Sequence, residues 1–158
     1  MSLRLVTSIV ATFIAITTAG AQEWQPFGVR HAGFVFDVPP EFALDQMAKD
    51  GTGATFVHPE NATLTVWGDK LLGSEFEAKI KAQLNKDESA GWDISYRRIM
   101  PTWASYSGIK DDKIRYFRAI AICNDRVAVF QLDYDRANKV AYDPVVTRMV
   151  KSLKAEGC

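Results

Sequence analysis

The chain has 158 residues, room for about one domain, and its 19 basic and 19 acidic side chains leave no formal net charge. That balance lacks the basic excess of a nucleic-acid-binding domain. Apolar residues at 47% and charged residues at 24% exclude a disordered or collagen-like chain.

Residues 1–21 read MSLRLVTSIVATFIAITTAGA. One early charge at Arg4, an apolar run from Leu5 to Ile16 and the small residues Ala19-Gly20-Ala21 make the three parts of a secretory signal peptide. The apolar run falls short of the about 20 residues that span a bilayer. The alternative is an uncleaved N-terminal anchor. Cleavage leaves residues 22–158 as a single domain with 18 basic and 19 acidic groups, a net charge of −1. The expected location is periplasmic or secreted, with no stable membrane insertion once the leader is removed.

Phe34–Val38 reads as a short strand stopped by Pro39-Pro40. Glu41–Asp50 reads as a loop or short helix. Ala54–His58 and Ala62–Trp67 are β-rich runs joined by the turn residues Pro59-Glu60-Asn61, a hairpin. Ser74 and Glu77 have capping-box spacing, and Phe76, Ile80 and Leu84 recur every four residues, which predicts a helix from about Glu75 to Lys86. Strands follow at Asp93–Ile99, Trp103–Ile109, Ile114–Cys123 and Arg126–Tyr134. Asp143 then serves as N-cap and Pro144 as first residue of a last helix, with Val145, Val146, Met149, Val150 and Leu153 on its apolar face. The expected fold class is α+β: an antiparallel meander of about six to seven strands with helices packed mainly on one face.

Turn lengths set the expected register. A two-residue turn at Asp111-Asp112 opposes Ser105 to Arg118 and Ser107 to Tyr116. A two-residue turn at Asn124-Asp125 opposes Arg118 to Gln131 and Tyr116 to Asp133. One face then holds Tyr106, Phe117, Ala119, Ala121, Cys123, Ala128, Phe130 and Leu132, with small residues for a helix to approach. The other ends in a polar group of Ser105, Ser107, Tyr116, Arg118, Gln131 and Asp133. Slipping the register by one residue exchanges such sets.

Export also bears on the two cysteines. In an oxidising compartment an even count favours a disulfide. Cys123 at a strand end and Cys158 on the tail of the last helix are brought to the same side of the sheet. A bridge closes a loop of about 35 residues and stabilises by about 3 kcal/mol on the chain-entropy model. Two independent thiols are the alternative.

Phe34-Val35-Phe36-Asp37-Val38-Pro39, the hairpin end Thr65-Val66-Trp67-Gly68 with its following helix, and Tyr142-Asp143-Pro144-Val145-Val146 leading into Met149-Val150-Lys151-Ser152-Leu153 together resemble the PsbP-like superfamily. The chain is similar to small exported bacterial proteins with that fold, over nearly all of residues 27–154. The resemblance implies a non-catalytic binding or accessory module and carries no catalytic motif or cofactor with it.

The residues themselves offer no G-x-S-x-G elbow, no phosphate loop and no metal-ligand spacing. No catalytic residue, metal or cofactor is therefore assigned. The candidate ligand surface is Arg118, Gln131, Tyr116, Asp133 and Ser105, since an arginine fork suits carboxylate or phosphate. Arg97-Arg98 add charge on a neighbouring strand, interleaved with Tyr96. The plainer reading is a solvated sheet face. The partner is an unidentified protein or small ligand. The competing function is a small hydrolase or transferase using His58 or a buried carboxylate.

Overall fold

The computed structural model of the chain describes residues 23–71 and 75–158. The expected leader at 1–21 and the Ser74 end of the capping box lie outside the described residues. The described residues form ten strands: β1 (Gln25–Val29), β2 (Phe34–Val38), β3 (Ala43–Met47), β4 (Gly53–His58), β5 (Ala62–Lys70), β6 (Asp93–Ile99), β7 (Trp103–Lys110), β8 (Lys113–Ile122), β9 (Arg126–Asp135) and β10 (Lys154–Ala155). Helix α1 (Phe76–Ser89) joins β5 to β6, and α2 (Lys139–Ser152) joins β9 to β10.

The strands form a seven-stranded sheet, in the order β3-β4-β5-β9-β8-β7-β6, and a three-stranded sheet, β1-β2-β10. All pairings are antiparallel. The α+β class expected from the sequence is the class observed. The Glu41–Asp50 segment, read as loop or helix, instead contains the edge strand β3, bulged between Leu44 and Gln46. All five of its residues are exposed, so it lacks the buried alternation by which a strand announces itself.

The large sheet is covered on both sides, not mainly on one. Phe76, Ile80 and Leu84 of α1 pack on Ala104, Tyr106, Phe117, Ala119 and Val129. On the opposite face, Leu64, Val66, Phe130 and Leu132 meet Phe34 and Phe36 of β2 and Met149 and Leu153 around α2. The strand Phe34–Val38 therefore belongs to a second layer, and its two phenylalanines are fully buried. Burying each such side chain contributes about 1.5–3 kcal/mol.

The β7–β8 turn has the expected register, with Ser105 opposite Arg118 and Ser107 opposite Tyr116. The β8–β9 turn does not. It closes on Ile122 and Arg126, so Arg118 faces Phe130, Tyr116 faces Leu132, Phe117 faces Gln131 and Arg115 faces Asp133. Cys123 (φ 51°) and Asn124 (φ 65°) take consecutive left-handed conformations, which removes Cys123 from the strand and makes the turn three residues long. The slip carries Ala128, Phe130 and Leu132 to the face opposite Phe117 and Ala119.

Cys123 and Cys158 are joined in a disulfide, with Cα atoms 5.2 Å apart. Its half-cystine on β8–β9 comes from that turn. Beside it, the Glu156 N–H donates to the Gly33 carbonyl at 2.9 Å, tying the tail to β2.

Helix α2 begins at Lys139, so Pro144 lies inside it and not at its start. A 3₁₀ turn, Arg136–Asn138, runs directly into it. The early turn is held by Tyr142 stacked on Tyr134 at 4.5 Å and by Lys139 on Asp143 at 2.9 Å. Pro144 has no N–H for the carbonyl four residues back, that of the strongly exposed Val140, where water can substitute.

Candidate ligand-binding face

Alternation along β6 and β8 sorts four arginines into two pairs. Arg97 lies opposite Tyr106, on the α1 face, and Arg98 lies opposite Ser105, on the other. Arg115 and Arg118 divide in the same way on β8. On the α1 face both are matched with acids. Arg97 Nη2 donates to Glu88 Oε1 at 2.8 Å. Arg115 donates to Asp133 through Nε and Nη2 at 2.8 and 2.6 Å and to Asp87 through Nη1 at 2.9 Å.

Asp87 is 3% exposed and projects from α1. It also accepts from the Tyr106 hydroxyl at 2.6 Å and from Gln83 at 3.2 Å. The Arg115 guanidinium lies 4.1 Å from the Trp92 ring centroid. With its amide turned toward Arg115, Gln131 accepts from Nη2 at 2.9 Å. Burial, then the hydrogen bond to Asp87, pushes the Tyr106 phenol far above its ordinary range. Asp133 and Gln131, two of the five expected ligand residues, are thus members of an internal network beneath α1.

The other three stay together on the opposite face. Arg118 Nη1 donates to Ser105 Oγ at 3.1 Å, and the Tyr116 hydroxyl donates to the same oxygen at 3.3 Å. Ser105 is 2% exposed. The guanidinium of Arg118 lies 4.5 Å from the Trp103 centroid, and that of Arg98 lies 5.2 Å from it. Among the described residues, no carboxylate forms an ion pair with Arg98 or Arg118. Arg118 Nε is buried and has no hydrogen-bond partner.

Desolvation pulls the Arg118 pKa below the ordinary arginine value. An arginine stays charged in proteins regardless, so the cation is partly stripped of water without a counter-ion. Ser105, Tyr116 and Arg118 also hold more donor hydrogens than acceptors. That surplus is the chemistry of an anion cradle.

Beside it a groove of about 530 Å³ runs between the sheet and α2. Tyr96, Ser107, Tyr116 and Tyr134 line its sheet side, and Val146 and Val150 line its helix side. A cleft of about 500 Å³ beside His31 and Arg126 has its acids engaged already. Asp50 there accepts from Thr52, and Asp69 pairs with Lys79.

His58 lies at the β4–β5 turn. Its Nδ1 accepts from the Glu60 N–H at 3.1 Å, which leaves the ring proton on Nε2 to donate to Glu41 at 3.0 Å. Both nitrogens are occupied in closing the turn. Asp87, the buried carboxylate, is likewise saturated by its three donors. Among the described residues, no group of three His, Cys, Asp or Glu side chains is placed to hold a metal ion, and no helix is long and apolar enough to cross a membrane.

The sequence drew attention to Arg98 but not to Trp103, and it did not foresee the wall made by α2. The available signal was alternation: on paired strands, Trp103, Ser105, Arg98 and Arg118 all fall at positions facing one way.

Comparison with solved structures places the fold. The Ran-binding protein Mog1p of Saccharomyces cerevisiae superposes with a TM-score of 0.61 at 10% identity, over 85% of this chain and 96% of that one. Cyanobacterial PsbP from Synechocystis superposes with a TM-score of 0.61 at 11% identity, over 92% of this chain and 98% of that one. No family model and no curated protein matches the chain.

Proposed function

We propose that the chain is an exported, non-catalytic binding or accessory protein of the cell envelope, and that it receives an anionic group of its ligand or partner at Arg118. A PsbP-like fold with a leader-like N-terminus supports the setting. The observation that carries the site is the half-buried Arg118 guanidinium, which has no carboxylate partner and an unsatisfied buried Nε. A mature domain of net charge −1 supplies no long-range field, so recognition rests on local geometry. Catalysis through His58 is disfavoured by the engagement of both ring nitrogens.

The test is affinity capture from an envelope extract with the mature protein and two variants. Arg118→Gln loses the captured partner or ligand. Gln131→Ala, altered on the opposite face, keeps it. Full retention by Arg118→Gln overturns the placement.

A further inference from the structure

We infer that Arg98 and Arg118 together dock an extended acidic segment of a partner protein, one with two carboxylates separated by a single residue. This rests on the reading of Arg118 as an anion site and adds a second arginine and the class of partner.

Strand register lays out the surface. Arg98 and Arg118 both lie opposite Ser105, one on each neighbouring strand, so they form a single row across β6, β7 and β8. Their backbones are two strand spacings apart, about 10 Å. Both guanidiniums converge on the ring of Trp103, at 5.2 and 4.5 Å from its centroid. Among the described residues neither has an ion-pair partner, whereas Arg97 and Arg115 on the other face are both matched with acids. Two unmatched cations held at one indole repel each other, and an anion between them relieves that repulsion. The next row of the same face is Tyr96, Ser107 and Tyr116. Tyr96 is 46% exposed, and Met100 just past β6 is exposed as well. Arg, Trp, Tyr and Met are the side chains in which protein interfaces are enriched.

Spacing and charge then select the partner. In an extended chain, side chains two residues apart share a face and lie about 7 Å apart. Two long arginines rooted about 10 Å apart and converging on one ring can meet both. Adjacent carboxylates point to opposite faces and present only one. Trp103 to Ser107 measures about 13 Å along β7, which is room for a short segment. A second copy placed over this face by a two-fold axis would set these arginines against their own counterparts. A chain with no formal net charge lacks the basic excess that holds a nucleic acid.

The experiment follows backbone amide shifts of the protein at low salt, titrated with glutarate and with three capped pentapeptides of threonine. The first carries glutamate at its second and fourth positions, the second at its second and third, and the third has glutamine at its second and fourth. The first peptide moves the amides of Tyr96, Arg98, Ser105 and Arg118 saturably and binds at least threefold tighter than the second. The glutamine peptide does not bind. Arg98→Gln and Arg118→Gln each weaken the first peptide about fivefold, the loss of one partly exposed ion pair. Arg97→Gln, on the α1 face, leaves its binding unchanged. Each variant is first matched to wild type by its amide spectrum.

Glutarate shifts that depend on Arg118, with the first peptide binding no tighter than the second, overturn the docked segment and leave the anion site standing. Absence of Arg118-dependent shifts with glutarate and with every peptide overturns both. Peptide binding unchanged in Arg98→Gln overturns the pairing of the two arginines. Arginine-dependent binding to phosphatidylglycerol vesicles, without peptide binding, overturns the protein partner in favour of a lipid surface.

Discussion

Arg115 and Asp133 face each other directly across the β8–β9 ladder, joined by two hydrogen bonds of 2.8 and 2.6 Å. The third arm of the fork reaches Asp87 on α1, so one guanidinium fastens the helix to two strands. Removing one partner of such a group costs more than the bond itself, because the remainder is left buried. Asp87→Ala strips Tyr106 and Arg115 of an acceptor together and is expected to destabilise by about 3 kcal/mol. Tyr106→Phe removes one hydroxyl and leaves the ion pairs, and is expected to cost about 1 kcal/mol. Urea unfolding of the two variants measures the difference. Equal losses would show that Asp87 contributes only its bond to Tyr106.

The disulfide gives a second expectation. Unreduced protein is expected to show no free thiol by mass spectrometry. Cys158→Ser remains folded, because the bridge joins a two-residue edge strand and tail to a core built elsewhere. Its loss of stability is about 3 kcal/mol. Amide exchange quickens first around Lys154 and Ala155. A variant that fails to fold contradicts this account.

Tyr134 and Tyr142 supply an alkaline limit. Burial raises each phenol to about 12. The unfolded chain ionises near pH 10, so above that pH unfolding releases protons and stability falls as pH rises toward 12. Below about pH 10 the contribution is intact. At pH 11 in the folded protein, Tyr134→Phe and Tyr142→Phe leave the phenolate absorbance unchanged from wild type. A drop in either variant shows that its phenol ionises before the fold opens.

Pro144 sits mid-helix and withholds an N–H. Pro144→Ala restores the hydrogen bond to the Val140 carbonyl, and is expected to stabilise by about 1 kcal/mol. If the helix instead began at Pro144, the same change would be neutral or harmful. Thermal unfolding distinguishes the two.

What the sequence made legible follows from which side chains carry a periodic signal. The α1 stripe of Phe76, Ile80 and Leu84 is plain because a helix with one buried face must repeat that way. Strand β3 is opaque because none of its residues is buried. The start of α2 is misread because Asp143-Pro144 has a helix-opening pattern, while the stack of Tyr142 on Tyr134 is a tertiary contact outside any local window. For the candidate site, Arg118, Tyr116 and Ser105 were legible because the Asp111-Asp112 turn obeys its expected length. Turn length alone puts Gln131 and Asp133 on the wrong face, because Cys123 adopts a left-handed conformation that L-residues seldom take.

The three-residue turn at Cys123–Asp125 makes the protein unusually intolerant of insertions and deletions at that point. Losing one residue there would rotate β9 by half a pleat relative to β8, sending Asp133 toward the open groove and Phe130 toward α1. Arg118 would then acquire an internal counter-ion and Arg115 would lose one. The bridge to Cys158 guards against that outcome, because one of its sulfurs resides in the turn and the other is fixed by the tail. Length changes among natural variants of this chain should therefore accumulate in its other hairpins and spare this one.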